Sequence, residues 1–329
     1  MSKAGYTRAP LPSASSATAL SKTQQRLASI QQHFTSAPRG DKLREKVCVI
    51  TGVGSLKGIG RASAFLYARE QAKHLYLLDF DGANLPNLKE ELGKAYPDVK
   101  VTTIQGDAAD EELISGVCKR ALEEEGRLDV FFANAGVATA HFLPDITAKE
   151  FMNTLRINTL SCFLAVKHAS EAMKLPGRGK EEAGGSIILT ASIAGLRSGA
   201  GTIDYSASKA GVNSIAMTSA YQLQRTNIRV NSICPGLIET GMTTTTFDYA
   251  RSRGSAAKLG QLNPMGRYGI SEGEQFVAVA YSALADDGAE IAQMALFLAS
   301  DDASYVNGQN IAVDGGLSSS HPVIPGRWA

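Results

Sequence analysis

The chain has 329 residues, of which 44% are apolar and 20% are charged, as expected for a globular protein with a sizeable core. The longest nearly unbroken apolar run, Phe276–Ala285, covers ten residues, whereas a membrane-spanning helix needs about 20, so an integral membrane protein is excluded. The formal net charge of +1 gives no electrostatic basis for binding nucleic acid.

The N-terminal segment differs in composition from the rest of the chain. Its first 40 residues contain five Lys or Arg residues and no Asp or Glu. We predict that residues 1–45 form a flexible basic N-terminal extension, which is favoured over a mitochondrial transit peptide because no clear cleavage signal is present. The predicted location is therefore cytoplasmic, with a mitochondrial location as the alternative.

The cysteines indicate a reduced, intracellular protein. Four of them are scattered along the chain without any C-x-x-C pair, namely Cys48, Cys118, Cys162 and Cys234. This pattern predicts neither a disulfide framework nor a zinc knuckle. The five histidines also lack the spacing of metal ligands, so no metal site is predicted.

From residue 46 onwards, short β-branched runs alternate with helical patterns. The predicted strands are 46–51, 74–79, 99–105, 128–133, 186–190, 228–233 and 310–313. The predicted helices are 58–71, 84–95, 110–125, 147–174, 205–225 and 288–299. Alternation of this kind predicts an α/β fold with a doubly wound, mostly parallel, seven-stranded sheet that binds ligands at the carboxyl ends of its strands. The pattern predicts a single domain from residue 46 to residue 317, followed by a C-terminal tail, 318–329.

The loop after the first predicted strand is rich in glycine. Gly52 ends the strand, and Gly58-Ile59-Gly60 leads into the first helix, which is typical of a loop that holds a pyrophosphate at a helix N-terminus. Asp79 ends the second predicted strand, where a carboxylate can accept both ribose hydroxyls of adenosine and would repel a 2′-phosphate. NAD is therefore the predicted cofactor, although Lys57 in the loop leaves NADP as an alternative.

A second motif carries chemistry. Ser192 follows the fifth predicted strand, and Tyr205 and Lys209 lie thirteen and seventeen residues further on. Residues four apart share one face of a helix, so the Lys209 ammonium can stabilise the phenolate of Tyr205. Tyr205 could then exchange a proton with a substrate oxygen while Ser192 donates a hydrogen bond to that oxygen.

These motifs, in this order, make the chain from about Lys46 to Leu317 resemble the short-chain dehydrogenase/reductases of the Tyr-x-x-x-Lys branch. The matching positions are Thr51-Gly52, Gly58-Ile59-Gly60, Asp107, Asn134-Ala135-Gly136, Asn158, Ser192, Tyr205, Lys209 and Pro235-Gly236. The resemblance implies a Rossmann-type fold. It also implies that Asn158 joins Ser192, Tyr205 and Lys209 as a catalytic residue, by completing a proton relay from Lys209 to solvent.

The resemblance further implies a set of cofactor contacts. Asp107 is expected near the adenine, or as a helix cap, and Asn134 to Gly136 near the adenosine ribose. Pro235-Gly236 is expected to turn the chain beneath the nicotinamide. Ile238 and Thr240 are expected near the carboxamide, although Thr240 could equally cap the next segment.

Two departures from the family pattern stand out. Five residues separate Gly52 from Gly58, where the family usually has three, and this spacing is similar to that of the divergent enoyl-acyl-carrier reductases. Those enzymes place six residues between the catalytic Tyr and Lys, and here that position holds Thr202, so the enoyl interpretation is disfavoured. The second departure is an insertion at 270–288, whose role the sequence leaves open.

The predicted function is an NAD(P)-dependent interconversion of a secondary alcohol and a ketone, with a small alcohol or ketone as substrate. Two alternatives stay open, an NADPH-dependent 3-oxoacyl reductase and a non-catalytic nucleotide-binding scaffold. The family resemblance also implies a homotetramer or homodimer that assembles through the long helices at 147–174 and 205–225.

Overall fold

The computed structural model describes residues 39–255, 259, 263–266, 268–269 and 289–320. The predicted insertion 270–288 and most of both predicted tails lie outside these residues. Among the helices of the described part, none has the length and apolar character required to cross a membrane.

Seven strands form one sheet, as predicted. They are β1 (Val47–Thr51), β2 (His74–Asp79), β3 (Lys100–Gln105), β4 (Val130–Ala133), β5 (Gly185–Thr190), β6 (Ile228–Pro235) and β7 (Asn310–Val313). Their order is β3-β2-β1-β4-β5-β6-β7, and every neighbouring pair is parallel. The order reverses between β1 and β4, which opens a crevice at the carboxyl ends of these two strands.

The helices cover both faces of the sheet. They are α1 (Ile59–Arg69), α2 (Leu85–Ala95), α3 (Glu111–Glu125), α4 (Ala148–Leu155), α5 (Ser161–Met173), α6 (Ile203–Gln222), α7 (Thr244–Ser252) and α8 (Ala289–Ala299). Because side chains alternate along a strand, Cys48 and Ile50 of β1 join the core beneath α1 and α8, and Val47 and Val49 join the core beneath α3 and α5. Burial on both faces explains the nearly continuous apolar composition of the strands.

The sequence pattern predicts one helix over 147–174, but the structure divides this segment into three pieces. A π-helical turn, Arg156–Leu160, separates α4 from α5 and contains the fully buried Asn158. The extra residue of such a turn changes which side chain faces inward, and π-helical turns are frequent at functional sites. Apolar periodicity cannot reveal this turn, because the pattern on either side stays helical. Helix α7 was likewise not predicted.

Residues upstream of Lys46 pack against the domain. Leu43 is fully buried, and Arg39 donates hydrogen bonds to the carbonyl oxygens of Ala68 and Arg69 at the end of α1. Arg39 also pairs with Asp98 at 2.8 Å. The chain therefore contacts the domain from residue 39 onwards, before the predicted start of the domain at residue 46.

Helix α1 approaches β1 so closely that only glycine fits at their junction. A Cβ atom on Gly60 would lie 2.2 Å from the carbonyl oxygen of Gly52 and 2.9 Å from Nδ2 of Asn134. Both neighbours belong to the polar junction at the end of β1, so neither can move without disturbing the loop between Gly52 and Gly58. The glycine is required here by packing, in addition to any role in ligand binding.

We expect Gly60→Ala to lower the free energy of unfolding by about 1–3 kcal/mol, because the added methyl group must displace backbone atoms. Gly116→Ala is the matched control, since Gly116 lies on an exposed face of α3 with no atom within 4 Å of the added Cβ. The control is expected to raise the free energy of unfolding by about 0.5–1 kcal/mol. Urea titration measures both changes, and equal stability of the two variants would contradict the steric account.

Candidate active site

A cleft of about 490 Å³ opens at the carboxyl ends of the strands. It is lined by thirteen of the sixteen residues predicted from the sequence: Gly52, Gly58, Ile59, Asp79, Asn134, Gly136, Ser192, Tyr205, Lys209, Pro235, Gly236, Ile238 and Thr240. The other three, Gly60, Asp107 and Asn158, are not among the lining residues. The fold thus brings segments almost 190 residues apart in sequence to one surface, because parallel strands end at the same edge of a sheet.

Asn134 joins three strands at the floor of the cleft. Its side-chain amide nitrogen donates to the carbonyl oxygens of Thr51 and Gly52, at 3.2 and 3.1 Å. Its side-chain oxygen accepts a hydrogen bond from the hydroxyl of Thr190 at 3.1 Å. The hydroxyl oxygen of Thr51 in turn accepts the backbone N–H groups of Asn134 and Ala135. These bonds fix the ends of β1, β4 and β5 relative to one another.

Lys209 and Tyr205 are held together on α6. The Lys209 ammonium donates to the carbonyl oxygen of Thr190 at 2.7 Å and lies 5.7 Å from the centre of the Tyr205 ring. Lys209 is buried, whereas Tyr205 is only partly buried and faces the cleft. The fold thus fixes an ammonium beside the phenol at the wall of the cleft.

Ser192 lines the cleft at the start of a short 3₁₀ turn, Ile193–Gly195, which packs against α6. Its hydroxyl oxygen accepts a hydrogen bond from the backbone N–H of Ala194 at 3.1 Å, which caps the turn and fixes the side chain. The hydroxyl proton is left free for a ligand, because this bond uses the oxygen as an acceptor. Ser192 can therefore donate a hydrogen bond into the cleft.

Asn158 supports the cleft from behind. Its side-chain oxygen accepts the backbone N–H of Val137 at 2.8 Å, and its amide nitrogen donates to the carbonyl oxygen of Val137 and to the hydroxyl of Ser208. A Cβ on Gly136 would meet both the Asn158 oxygen and the Lys209 ammonium, at 3.1 and 3.3 Å. Asn158 and Lys209 thus flank Gly136. The proton relay through Asn158 stays a prediction.

The Gly52–Gly58 loop forms a cradle that suits a dinucleotide. Gly52 has a φ of +74°, and a Cβ on Gly54 would lie 2.8 Å from Cγ of Asp79. The carboxylate of Asp79 accepts the backbone N–H groups of Gly54 and Asp81, at 2.6 and 2.9 Å. Glycine backbone at one end, a fixed carboxylate beside it, and Tyr205 with Lys209 at the other end fit a nicotinamide dinucleotide.

Asp107 bonds to two groups of the protein just beyond the end of β3. Its carboxylate pairs with Arg156 at 2.7 Å and accepts the backbone N–H of Ala109 at 2.8 Å. Partial burial raises the pKa of Asp107, but the hydrogen bonds from Ala109 and Arg156 outweigh it and lower the pKa below the ordinary value. The helix that follows is capped by Asp110 instead. The adenine contact of Asp107 stays a prediction.

Thr240 both lines the cleft and begins a helical turn. Its backbone N–H donates to the hydroxyl oxygen of Thr243 at 2.8 Å, and that hydroxyl donates to the carbonyl oxygen of Ile238 at 2.6 Å. These bonds fix the segment that connects β6 to α7. Capping the turn and contacting a ligand are therefore compatible roles for Thr240. The turn uses its backbone groups, and the residue still lines the cleft.

Nine more residues line the cleft, of which Ala135 belongs to the predicted Asn134–Gly136 segment: Ser55, Ala135, Val137, Ala138, Thr190, Ala191, Gly241, Met242 and Thr243. Thr190 and Ala191 could have been found from the rule that ligands bind where parallel strands end. Val137 and Ala138 carry no such signal, since they belong to a loop of ordinary composition. Arg197 is not among the lining residues and donates to the carbonyl oxygen of Leu317 at 2.5 Å.

The cysteines take no part in this chemistry. All four are free and buried, and burial raises the pKa of each thiol, in the case of Cys118 to about 12. Cys234 lies near the cleft, where its thiol donates to the side-chain oxygen of Asn213 at 3.3 Å. A thiol that resists ionisation is a poor nucleophile. The cysteines behave as small buried groups.

One group of possible metal ligands in the described residues was missed by the sequence argument. His74, Glu124 and Glu125 bring their side-chain ligand atoms within 4.8 Å of one another, although about fifty residues separate His74 from the glutamates. Lys100 pairs with both glutamates at 3.2 and 3.1 Å, and burial lowers the pKa of His74. The group lies at the amino ends of the strands, away from the cleft, and an ammonium already satisfies its carboxylates.

Comparison with known proteins agrees with this geometry. The family described as Enoyl-(Acyl carrier protein) reductase matches residues 52–318. The levodione reductase of Leifsonia aquatica is 34% identical over 291 residues, covering 87% of this chain and 99% of the relative. A 3-oxoacyl-(acyl-carrier-protein) reductase of Thermotoga maritima is 35% identical over 280 residues, with 84% and 99% coverage.

The structural comparison gives the same result. The crystal structure of levodione reductase superposes with a TM-score of 0.72 at 33% identity, covering 85% of this chain and all of that one. The L-rhamnose-1-dehydrogenase of Scheffersomyces stipitis is 35% identical over 278 residues, with 84% of this chain and 96% of the relative covered. With these matches and a cleft that assembles the Ser192, Tyr205 and Lys209 side chains, the chain belongs to the short-chain dehydrogenase/reductase family of nicotinamide-dependent oxidoreductases.

Proposed function

We propose that this protein interconverts a secondary alcohol and a ketone, with NAD(H) as the cofactor and Tyr205 as the acid and base. The observation that carries the proposal is the meeting of three features in one cleft: the Gly52–Gly58 loop, the carboxylate of Asp79, and the set of Ser192, Tyr205 and Lys209. A nucleotide-binding scaffold would need the first two features but not the third.

The cofactor would be held along the length of the cleft. Gly52, Gly58 and Ile59 would meet the pyrophosphate at the start of α1, with Gly60 allowing the helix to approach. Asp79 and Asp107 would serve the adenosine half, and Asn134 and Gly136 would shape the floor beneath the ribose. Pro235, Gly236, Ile238 and Thr240 would enclose the nicotinamide. When bound, the nicotinamide supplies or accepts a hydride.

The side chains of the protein would move the proton. Tyr205 donates its phenolic proton to the substrate oxygen when a ketone is reduced, and takes it back when the alcohol is oxidised. Lys209 stabilises the phenolate that remains, because its ammonium is fixed by Thr190 5.7 Å from the ring centre. Ser192 donates a hydrogen bond to the same substrate oxygen and holds it at the phenol. Asn158 would connect Lys209 to solvent through water.

The relatives support two substrate classes. Levodione reductase and L-rhamnose-1-dehydrogenase are named for a small ketone and for a sugar, which favours a small alcohol or ketone as the substrate here. The Thermotoga relative is named for 3-oxoacyl reduction, so reduction of a 3-oxoacyl thioester with NADPH is the second candidate. A panel of small ketones and 3-oxoacyl thioesters, assayed with each cofactor at the nicotinamide absorbance, separates the two.

We also propose that the protein forms a homotetramer or homodimer and that it acts in the cytoplasm, with the mitochondrion as the alternative that the acid-free N-terminus leaves open. The support for assembly is a set of exposed apolar side chains on α4, the π turn, α5 and α6, which pack against one another. It includes Met152, Leu160, Phe163 and Met217, whose exposed fractions lie between 38% and 61%. Apolar side chains clustered on a surface mark sites of protein association.

Replacing Tyr205 by Phe tests the mechanism. The variant keeps the ring but loses the transferable proton, so turnover is expected to fall by at least about 100-fold. The dissociation constant for NADH, measured by fluorescence, is expected to change by less than about twofold, which is under 0.5 kcal/mol. Tyr305→Phe, at a fully exposed position, is the control. Undiminished turnover in Tyr205→Phe would refute the proposed role.

Replacing Asp79 by Ala tests the cofactor. The wild type is expected to prefer NADH in kcat/KM, because the carboxylate repels a 2′-phosphate. Loss of this charge should shift the preference towards NADPH by about tenfold or more, since 1.4 kcal/mol corresponds to a factor of ten. Asp81→Ala, which removes the same charge two residues away, should shift it less. A wild-type preference for NADPH, or no shift in Asp79→Ala, would favour the second candidate.

Light scattering tests the assembly. The wild type is expected at two or four times the mass of the chain, and Phe163→Glu combined with Met217→Glu should lower that mass by placing buried charge at the interface. Lys89→Glu, which introduces a glutamate on the exposed face of α2, should leave the mass unchanged. A monomeric wild type at micromolar concentration would contradict the proposal.

A further inference from the structure

Asp204, the residue before Tyr205, is a fully buried carboxylate. None of the ion pairs within the described residues includes it, and its partners there are hydroxyl and amide groups. Charged side chains are rarely buried without an opposite charge, because removing a carboxylate from water is unfavourable. The burial of Asp204 therefore indicates that its carboxylate holds neighbouring groups in place.

The partners of Asp204 come from three separate segments. The hydroxyl of Thr139 lies 2.8 and 2.9 Å from the two carboxylate oxygens, and that of Thr154 donates to one of them at 2.8 Å. Thr202, which precedes α6, lies with its hydroxyl 2.7 Å from that of Thr139. The backbone N–H of Tyr205 also bonds to the carboxylate. Asp204 thus links α4, the start of α6 and the loop after β4.

These bonds are sufficient to keep the carboxylate ionised. Burial raises the pKa of Asp204, but the hydrogen bonds from Thr154, Thr202, Thr139 and the Tyr205 N–H together lower the pKa below the ordinary value for Asp. Its position in the first turn of α6 adds to this, since the N-terminus of a helix favours negative charge. Glu150 of α4 interacts with it electrostatically and is itself paired with His141 at 3.7 Å.

The loop after β4 is the structural link to the cleft. Val137 and Ala138 line the cleft, and Thr139 follows them directly. Val137 is held at both backbone groups by Asn158, and Thr139 is held by Asp204. Two buried polar side chains therefore anchor this cleft wall at positions two residues apart. One of them, Asp204, simultaneously anchors the backbone of Tyr205.

We propose that Asp204 is a positioning residue, which locks the Val137–Thr139 cleft wall to the first turn of α6 and so fixes the direction of the Tyr205 phenol. The inference rests on the proposed function, because it assumes that Tyr205 transfers the proton. Proton transfer needs a donor and acceptor at hydrogen-bond distance, and a displacement of about 1 Å can lower a rate by about 100-fold. Asp204 itself does not touch the substrate.

Asp204→Asn is the principal test, because it keeps the shape of the side chain, removes the charge and puts an amide donor where hydroxyl donors point. We expect kcat to fall by about 10- to 100-fold, with the dissociation constant for NADH unchanged within about twofold. Asp110→Asn, the same change at the exposed start of α3, is the control and should behave as the wild type.

A second pair of variants avoids any folding defect of Asp204→Asn. Thr154→Val removes one hydroxyl donor at nearly constant volume, and Thr154→Ser keeps the hydroxyl. A loss of kcat in the valine variant, rescued in the serine variant, supports the proposal. Equal kcat in the two variants overturns it, as does a loss of kcat in Asp204→Asn that only follows the fall in the folded fraction.

Hydrogen exchange makes the test independent of turnover. Asp204→Asn and Thr154→Val should speed amide exchange at Val137–Thr139 and in the first turn of α6, with no change in the sheet. Unchanged exchange at both segments overturns the proposal. An inert wild type, or an active Tyr205→Phe, would refute the proposed function instead. In either case the exchange result still decides whether Asp204 holds the two segments together.

Discussion

The polar junction at Asn134 is the constraint on which the rest of the site depends. One side-chain amide contacts the ends of β1 and β5 from the end of β4 and so fixes the spacing of three strands. Thr190, which donates to that amide, also offers its backbone carbonyl to the ammonium of Lys209. The glycine loop and helix α6 are therefore held by the same few atoms, so a shift at Asn134 would move both.

Buried polar side chains with neutral partners recur around the cleft. Asn158 holds the backbone of Val137, and Asp204 holds Thr139 and the start of α6. Such groups are poor sources of stability but are satisfied in only one arrangement, because a displaced partner leaves a buried donor or acceptor unpaired. They restrict the cleft wall to a single geometry, whereas apolar packing alone would tolerate several.

Much of the fold could be predicted from the sequence because its signals are local. The runs around Ile50, Leu77 and Ile188 are apolar throughout, which indicates strands buried on both faces, and the helical stretches between them force parallel pairing. The site motifs could be predicted for a related reason. Gly52 belongs to a glycine motif within one loop. Tyr205 and Lys209 are four residues apart, which places them on one face of one helix. These inferences needed no knowledge of distant contacts.

Other features depend on contacts between distant residues and left no local signal. The π turn at Asn158 has a helical pattern on both sides, so apolar periodicity predicts neither the turn nor the side-chain hydrogen bonds of Asn158 to Val137 and Ser208. Asp107 is predicted from the sequence as an adenine contact or a helix cap, but its ion pair with Arg156, 49 residues away, leaves no signal in the sequence. In the sequence, Asp204 is an ordinary acidic residue in a first helical turn, and its buried contacts with Thr139 and Thr154 come from two other segments.

The sequence by itself determined the succession of strands and helices along the chain, the position of the glycine loop, and the candidate residues for proton exchange, since each depends on the chemistry of neighbouring positions. Only the tertiary structure decided which polar side chains face the cleft and which serve as its supports. The physical reason is that a carboxylate or amide side chain looks the same in the sequence whether it faces the cleft or supports it. The partners that distinguish the two roles come close only when the sheet and its helices have packed.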